Sequence, residues 1–116
     1  MDSILTSIKK LLGIAEDYEH FDQDIIMHIN SILMVLNQLG IGKENFTISD
    51  KFSTWNDFLS DSVNFEAVKT YVYLKVKLIF DPPLSSTAIE STNRLIKEYE
   101  WRLNILADSS AKESEV

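Results

Sequence analysis

The chain has 116 residues, 45% of them hydrophobic, with three glycines, two prolines and no cysteine. That is the length of one domain with enough apolar material for a core, and it rules out a disulfide framework and thiolate chemistry. The formal net charge of −7, with basic residues scattered rather than striped, argues against a general nucleic-acid binder, because phosphate contact needs clustered Lys and Arg.

Residues 1–14 open with Asp2 or Ser3 as a helix cap. Ile4, Leu5, Ile8, Leu11 and Leu12 follow on one apolar face, and Gly13 stands where a C-terminal cap belongs. Lys9 and Lys10 fall at the helix end that favours cations. The apolar part is too short, and acidic residues follow too soon, for a signal peptide. No apolar run in the chain approaches the length that spans a bilayer. A helix this short needs a docking partner. Residues 15–24 form an acidic linker with aromatics, in which Asp22 is the expected N-cap of the next helix. The linker lacks the glycine and closing glutamate of a calcium loop.

Residues 24–39 read as a long helix. Ile25, Ile29, Ile32, Leu33, Leu36 and Leu39 form its core face, while Ile26, Met27, Met34 and Val35 make much of the remainder apolar. Asn30 and Asn37 lie seven residues apart and hence on nearly the same side. Buried asparagines need partners, so these two either fix helix register or face a subunit interface. His28 and His20 straddle a helix start and are too few for a zinc site.

The sequence Leu39-Gly40-Ile41-Gly42 turns the chain without the lysine of a phosphate loop. Phe46 and Ile48 share one side of a short extended piece, and residues 54–59 read as a short helix anchored by Trp55, Phe58 and Leu59. A polar linker, residues 60–64, leads to Asn64 as the cap of the next element.

Residues 65–106 form the organising unit, two helices joined at Phe80-Asp81-Pro82-Pro83. In the first helix, Phe65, Val68, Val72, Val76 and Ile79 recur at helical spacing, widened by Tyr71, Leu74 and Leu78. Local alternation at Val72, Leu74, Val76 and Leu78 competes as a strand pattern, but the helical period covers the whole segment. The two prolines stop this helix, and Ser85 or Ser86 caps the second. The second stripe is Ile89, Ile96, Tyr99, Leu103 and Leu106, with Trp101 and Arg102 partly off that line. The Trp101 ring is expected to be mostly buried, either within the hairpin or against a neighbour. Glu90 and Arg94 are spaced for a surface ion pair. The expected fold is all-α, a small bundle of four to five helices organised around a C-terminal antiparallel helical hairpin. Residues 1–106 form one domain, and residues 107–116 a flexible polar tail.

No nucleophile with a base and an orienting carboxylate can be assembled from the spacing, and no metal, cofactor or catalytic residue is assigned. What remains is a surplus of apolar positions on the second long helix and on residues 71–80. That surplus points to assembly, and two separate apolar elements suit head-to-tail contacts.

One set of motifs is more specific. His28-Ile29-Asn30-Ser31-Ile32-Leu33, Leu36-Asn37-Gln38-Leu39-Gly40-Ile41-Gly42, Phe46-Thr47-Ile48 and Thr54-Trp55-Asn56-Asp57-Phe58 are followed by two further runs. These are Val76-Lys77-Leu78-Ile79-Phe80-Asp81-Pro82-Pro83 and Glu98-Tyr99-Glu100-Trp101-Arg102-Leu103-Asn104. Together they resemble the small head–tail connector proteins of tailed phages and prophages, also called head-completion or adaptor proteins. The resemblance implies a non-enzymatic ring subunit below the portal that extends the DNA channel and supports tail attachment. The implied partners are further copies of itself, the portal, tail-side completion proteins and passing DNA held without sequence specificity, with no membrane. Free subunits would be monomeric until a portal templates them. The implied locations are the host cytoplasm during assembly and the head–tail junction of the virion. The residues carried as structural or interface candidates are Asn30, Asn37, Trp55, Phe80, Asp81, Pro82, Pro83, Trp101 and Arg102. The competing reading is a small dimeric helical regulator or adaptor that binds another protein or nucleic acid.

Overall fold

The structure is a computed structural model that describes residues 3–60 and 64–114, with side chains as far as Ala107. The alternative cap Asp2, residues 61–63 of the polar linker and residues 115–116 of the tail lie outside the described residues. The elements are α1 (Ile4–Leu12), α2 (Asp22–Gln38), α3 (Trp55–Phe58), α4 (Phe65–Phe80) and α5 (Ser86–Ser114). The fold is all-α. Among the described residues the one β-type pairing is an isolated antiparallel bridge between Ser3 and Thr54.

The four longer helices alternate in direction. The start of α1 is tied to the start of α3 by Ile4 N–H donating to the Ser53 carbonyl at 2.9 Å. The start of α2 meets the end of α4 through an edge-on contact of Phe21 and Phe80, 5.2 Å between centroids. The turn after α2 lies against α5 at Ala107. One end of the bundle therefore holds the α1–α2 linker and the α4–α5 corner, here the corner end. The opposite, loop end holds residues 39–60 and the latter part of α5.

Helix α4 is central and packs on α1, α2 and α5. Val68, Tyr71, Val72 and Val76 are fully buried on it, and Leu74 nearly so. Cover on several sides explains why both a helical and an alternating pattern were legible here. A helix packed on three others keeps only a narrow polar strip, here Glu66, Lys69, Thr70 and Lys77, to define its period. Ile79, expected on the buried stripe, is 53% exposed. It lies in the last turn of α4, where Phe80 instead reaches across to Phe21.

The caps explain the boundaries. The Ser3 hydroxyl accepts the Thr6 N–H at 3.2 Å, and Gly13 closes α1 at φ +82°, a conformation glycine adopts without strain. The Ser85 hydroxyl accepts the Ala88 N–H at 3.1 Å, which starts α5. Asp22 is not a cap. It is the first helical residue of α2, after Phe21, and its carboxylate is used elsewhere. Asn64 precedes α4 without a side-chain capping bond.

Candidate functional site

At the corner end, the backbone of the acidic linker is organised by one buried cation. Lys9 is 2% exposed. Its Nζ donates to the carbonyls of Glu16 at 3.0 Å and Tyr18 at 2.8 Å, and meets Asp22 Oδ1 at 2.8 Å. The angles at Asp22 fall outside hydrogen-bond geometry, so that oxygen is buried with the ion pair as its only polar partner. Burying an ammonium is costly unless it is paired and hydrogen-bonded, and here three oxygens surround it. Lys9 lies in the last turn of α1, as expected, and its burial adds a second role. It is a buried clamp between α1, the linker and α2. A sequence clue was present, since Lys9 follows Leu5 by four residues and so borders the apolar face of α1.

Around this clamp the linker presents Tyr18, His20 and Phe21 in tilted and edge-on contact, with Phe21 against Phe80. Below Phe80 the chain turns. Asp81 N–H donates to the Lys77 carbonyl at 2.9 Å, and the Asp81 carboxylate lies 3.4 Å from Lys77 Nζ. Phe80 and Pro83 are half-buried, while Asp81 and Pro82 are exposed. Leu84, not among the expected site residues, projects fully into solvent at 106% relative exposure.

At the loop end the side chains of both asparagines bond to the loop backbone. Asn30 Nδ2 donates to the Ile48 carbonyl at 2.9 Å, and its Oδ1 accepts the Ile48 N–H at 2.8 Å. This pair of bonds matches the side chain to an extended backbone. Asn37 Nδ2 donates to the carbonyls of Ile41 at 2.9 Å and Lys43 at 3.1 Å, and its Oδ1 accepts the Asn45 N–H at 3.1 Å. Gly42 has φ +82°, and a Cβ there would collide with the Phe58 ring, so the loop can lie on Phe58 only because the residue is glycine. Trp55 is completely buried and donates from Nε1 to Ser7 Oγ at 2.8 Å. It joins α3 to α1 in the interior rather than facing a partner. Between the pinned loop, α3 and the later part of α5 lies an open groove of ≈ 500 Å³, floored by Phe58, Leu59 and Leu103 and rimmed by Ile41, Lys43 and Leu106.

Along α5, only Ile96 and Leu103 are buried among its large apolar residues. Trp101 is 64% exposed, so its burial within the hairpin is corrected. Ile96 and Leu103, seven residues apart, share the buried side of α5, and Trp101 lies on a different side. Leu95 and Ile105 are also exposed. Arg102 is exposed and pairs with Glu98 at 2.6 Å. This is the ion pair seen on α5 among the described residues, in place of the expected Glu90–Arg94 pair. Tyr71, buried in α4, donates its hydroxyl to Glu100 Oε1 at 3.3 Å and bridges the hairpin. Burial, then the Glu100 charge and the hydrogen bond to it, raise the phenol well above its ordinary value of 10.0.

Among the described residues, no group of three or more His, Cys, Asp or Glu could hold a metal ion. Among the same residues, no helix is long and apolar enough to cross a membrane. The sequence-expected candidates therefore fall into three places. Asn30, Asn37 and Trp55 organise the loop end, Phe80 to Pro83 form the corner, and Trp101 and Arg102 lie on the outer face of α5. In comparisons with known proteins, a family model described as phage connector protein matches residues 4–110. No curated protein and no solved structure matches the chain.

Proposed function

This chain belongs to the phage connector protein family, and we propose that it is a non-enzymatic subunit of the head–tail connector. In this reading, copies form a ring below the portal, extend the channel through which DNA passes, and support attachment of the tail. The match over residues 4–110 carries the reading, since it takes in all of α1 to α4 and most of α5.

The surface chemistry supports it. Leu84, Trp101, Leu95 and Ile105 remain exposed in the single chain, which leaves apolar side chains on the corner and along α5 for a partner to cover. The net charge of −7 suits a channel component past which DNA slides, since a wall of this sign holds no counterion-releasing contacts. Its partners are further copies of itself, the portal and tail-side completion proteins. It is made in the host cytoplasm and used at the head–tail junction.

The test is mass measurement at several protein concentrations, with and without the portal protein of the same phage. Higher-order species are expected in the presence of portal. A chain that stays monomeric or dimeric throughout and never associates with portal would sink the reading.

A further inference from the structure

Two features at opposite ends of the hairpin are unmatched within the chain. Leu84 is fully exposed, yet it is not loosely held. Pro82 and Pro83 fix the backbone before it, and the Ser85 cap of α5 fixes the backbone after it. A projecting apolar side chain on a rigid turn loses little conformational freedom on docking. At the loop end, the groove of ≈ 500 Å³ has an apolar floor of Phe58, Leu59 and Leu103, and this size is typical of sites that take an inserted group. The two features cannot meet within one copy, because α4, with 16 residues, holds them roughly 24 Å apart.

Charge also matches. The corner carries the Asp81 carboxylate, 62% exposed and only loosely paired with Lys77 at 3.4 Å. The groove rim carries Lys43. The one carboxylate among the residues lining the groove, Asp57, has Oδ2 accepting the Thr54 N–H at 2.8 Å. Two copies that each carry a net charge of −7 repel overall, so a contact that sets a carboxylate beside a cation is favoured over one between two acidic patches.

We infer that the corner of one copy docks in the loop-end groove of the next, with Leu84 inserted between Phe58 and Leu106 and Asp81 beside Lys43. The contact uses different patches on the two copies, so it repeats head to tail and forms a ring where the rotation closes. This inference rests on the connector reading above and names the subunit contact that it needs.

The chain has no cysteine, which makes a clean cross-linking test possible. L84C and L106C proteins are prepared singly, assembled with wild-type portal either alone or mixed, and treated with a short bismaleimide. Covalent dimers are expected from the mixture and not from either protein alone. Equal dimer yields from either single variant would mean a symmetric contact and would overturn the inference. So would assembly on portal with no dimer from the mixture, or L106C cross-linking to portal cysteines in place of L84C. In these cases the connector reading survives. Failure of the unsubstituted chain to associate with portal at all removes both.

A charge swap gives the second measurement. Asp81→Lys and Lys43→Asp are each expected to raise the concentration needed for assembly about tenfold, and the double variant to recover most of that loss. Circular dichroism checks that each variant is folded. Additive losses in the double variant would overturn the Asp81–Lys43 pairing.

Discussion

The ammonium of Lys9 and the phenol of Tyr71 are two polar groups held inside the fold, and each makes a measurable prediction. Lys9→Met keeps most of the side-chain volume but leaves Asp22 and two carbonyls without their donor. Removing one partner of a buried pair is expensive, so a loss of about 3 kcal/mol is expected. It should appear as a lower urea midpoint with an unchanged slope. A loss under about 1 kcal/mol would mean that water replaces the ammonium easily. For Tyr71, the folded protein holds the phenol neutral above its ordinary value of 10.0. The unfolded chain ionises there, so this contribution is full below pH 10.0 and is lost as pH rises towards the folded value. Tyr71→Phe should therefore narrow the stability gap between about pH 8 and pH 11. Equal alkaline losses in both proteins would show that the other tyrosines, or general charge repulsion, dominate.

Helix α5 is the element whose length most exceeds its packing. It has 29 residues, roughly 43 Å at 1.5 Å per residue, but only Ile96 and Leu103 of its large apolar residues are buried. Two fully buried side chains contribute about 1.5–3 kcal/mol each, which is little to hold a helix of that size. We propose that its last turns fray in the free protein, although the backbone from 107 to 114 is helical in the structure. Amide exchange over residues 107–114 is expected to be far faster than over Ile96–Leu103. Strong protection to Ser114 in the free chain would contradict this. The outer face is probed by Trp101. In a Trp55→Phe variant, Trp101 is the one remaining indole. Its emission should be red-shifted in the free protein, in keeping with 64% exposure, and should move to the blue on portal only where a neighbour covers the ring. Blue emission from the free variant would refute the placement of Trp101 on the outside of α5.

The whole molecule is acidic and extended along its hairpin. Its radius of gyration, 14.4 Å, is somewhat above the roughly 13 Å expected for a compact chain of this length, as a projecting α5 requires. A net charge of −7 with no dense basic stripe predicts that free protein will not retain duplex DNA at physiological salt. A gel shift with random-sequence duplex checks this. Retention at moderate protein concentration would favour the competing regulator reading over a passive channel wall.

How much could be read from the sequence depended on range. Caps, breakers and apolar spacing act within a few residues, so Gly13, the double proline, Ser85 and the 65–80 helix were all legible from the chain alone. The all-α hairpin architecture followed from them. The motifs that resemble connector proteins were legible in the same way. The structure was needed wherever a side chain's partner is remote in sequence or its exposure depends on which faces meet. Asn30 binds the backbone of Ile48, 18 residues on. Trp55 bonds to Ser7, 48 residues back. Lys9 is interior because a linker folds over it. Trp101 is exposed because it lies off the side of α5 that carries the buried Ile96 and Leu103. Periodicity can assign a residue to a helix face, but only tertiary packing decides which faces are covered. That is why the corner and the groove were not legible as a pair until both ends of the hairpin could be seen.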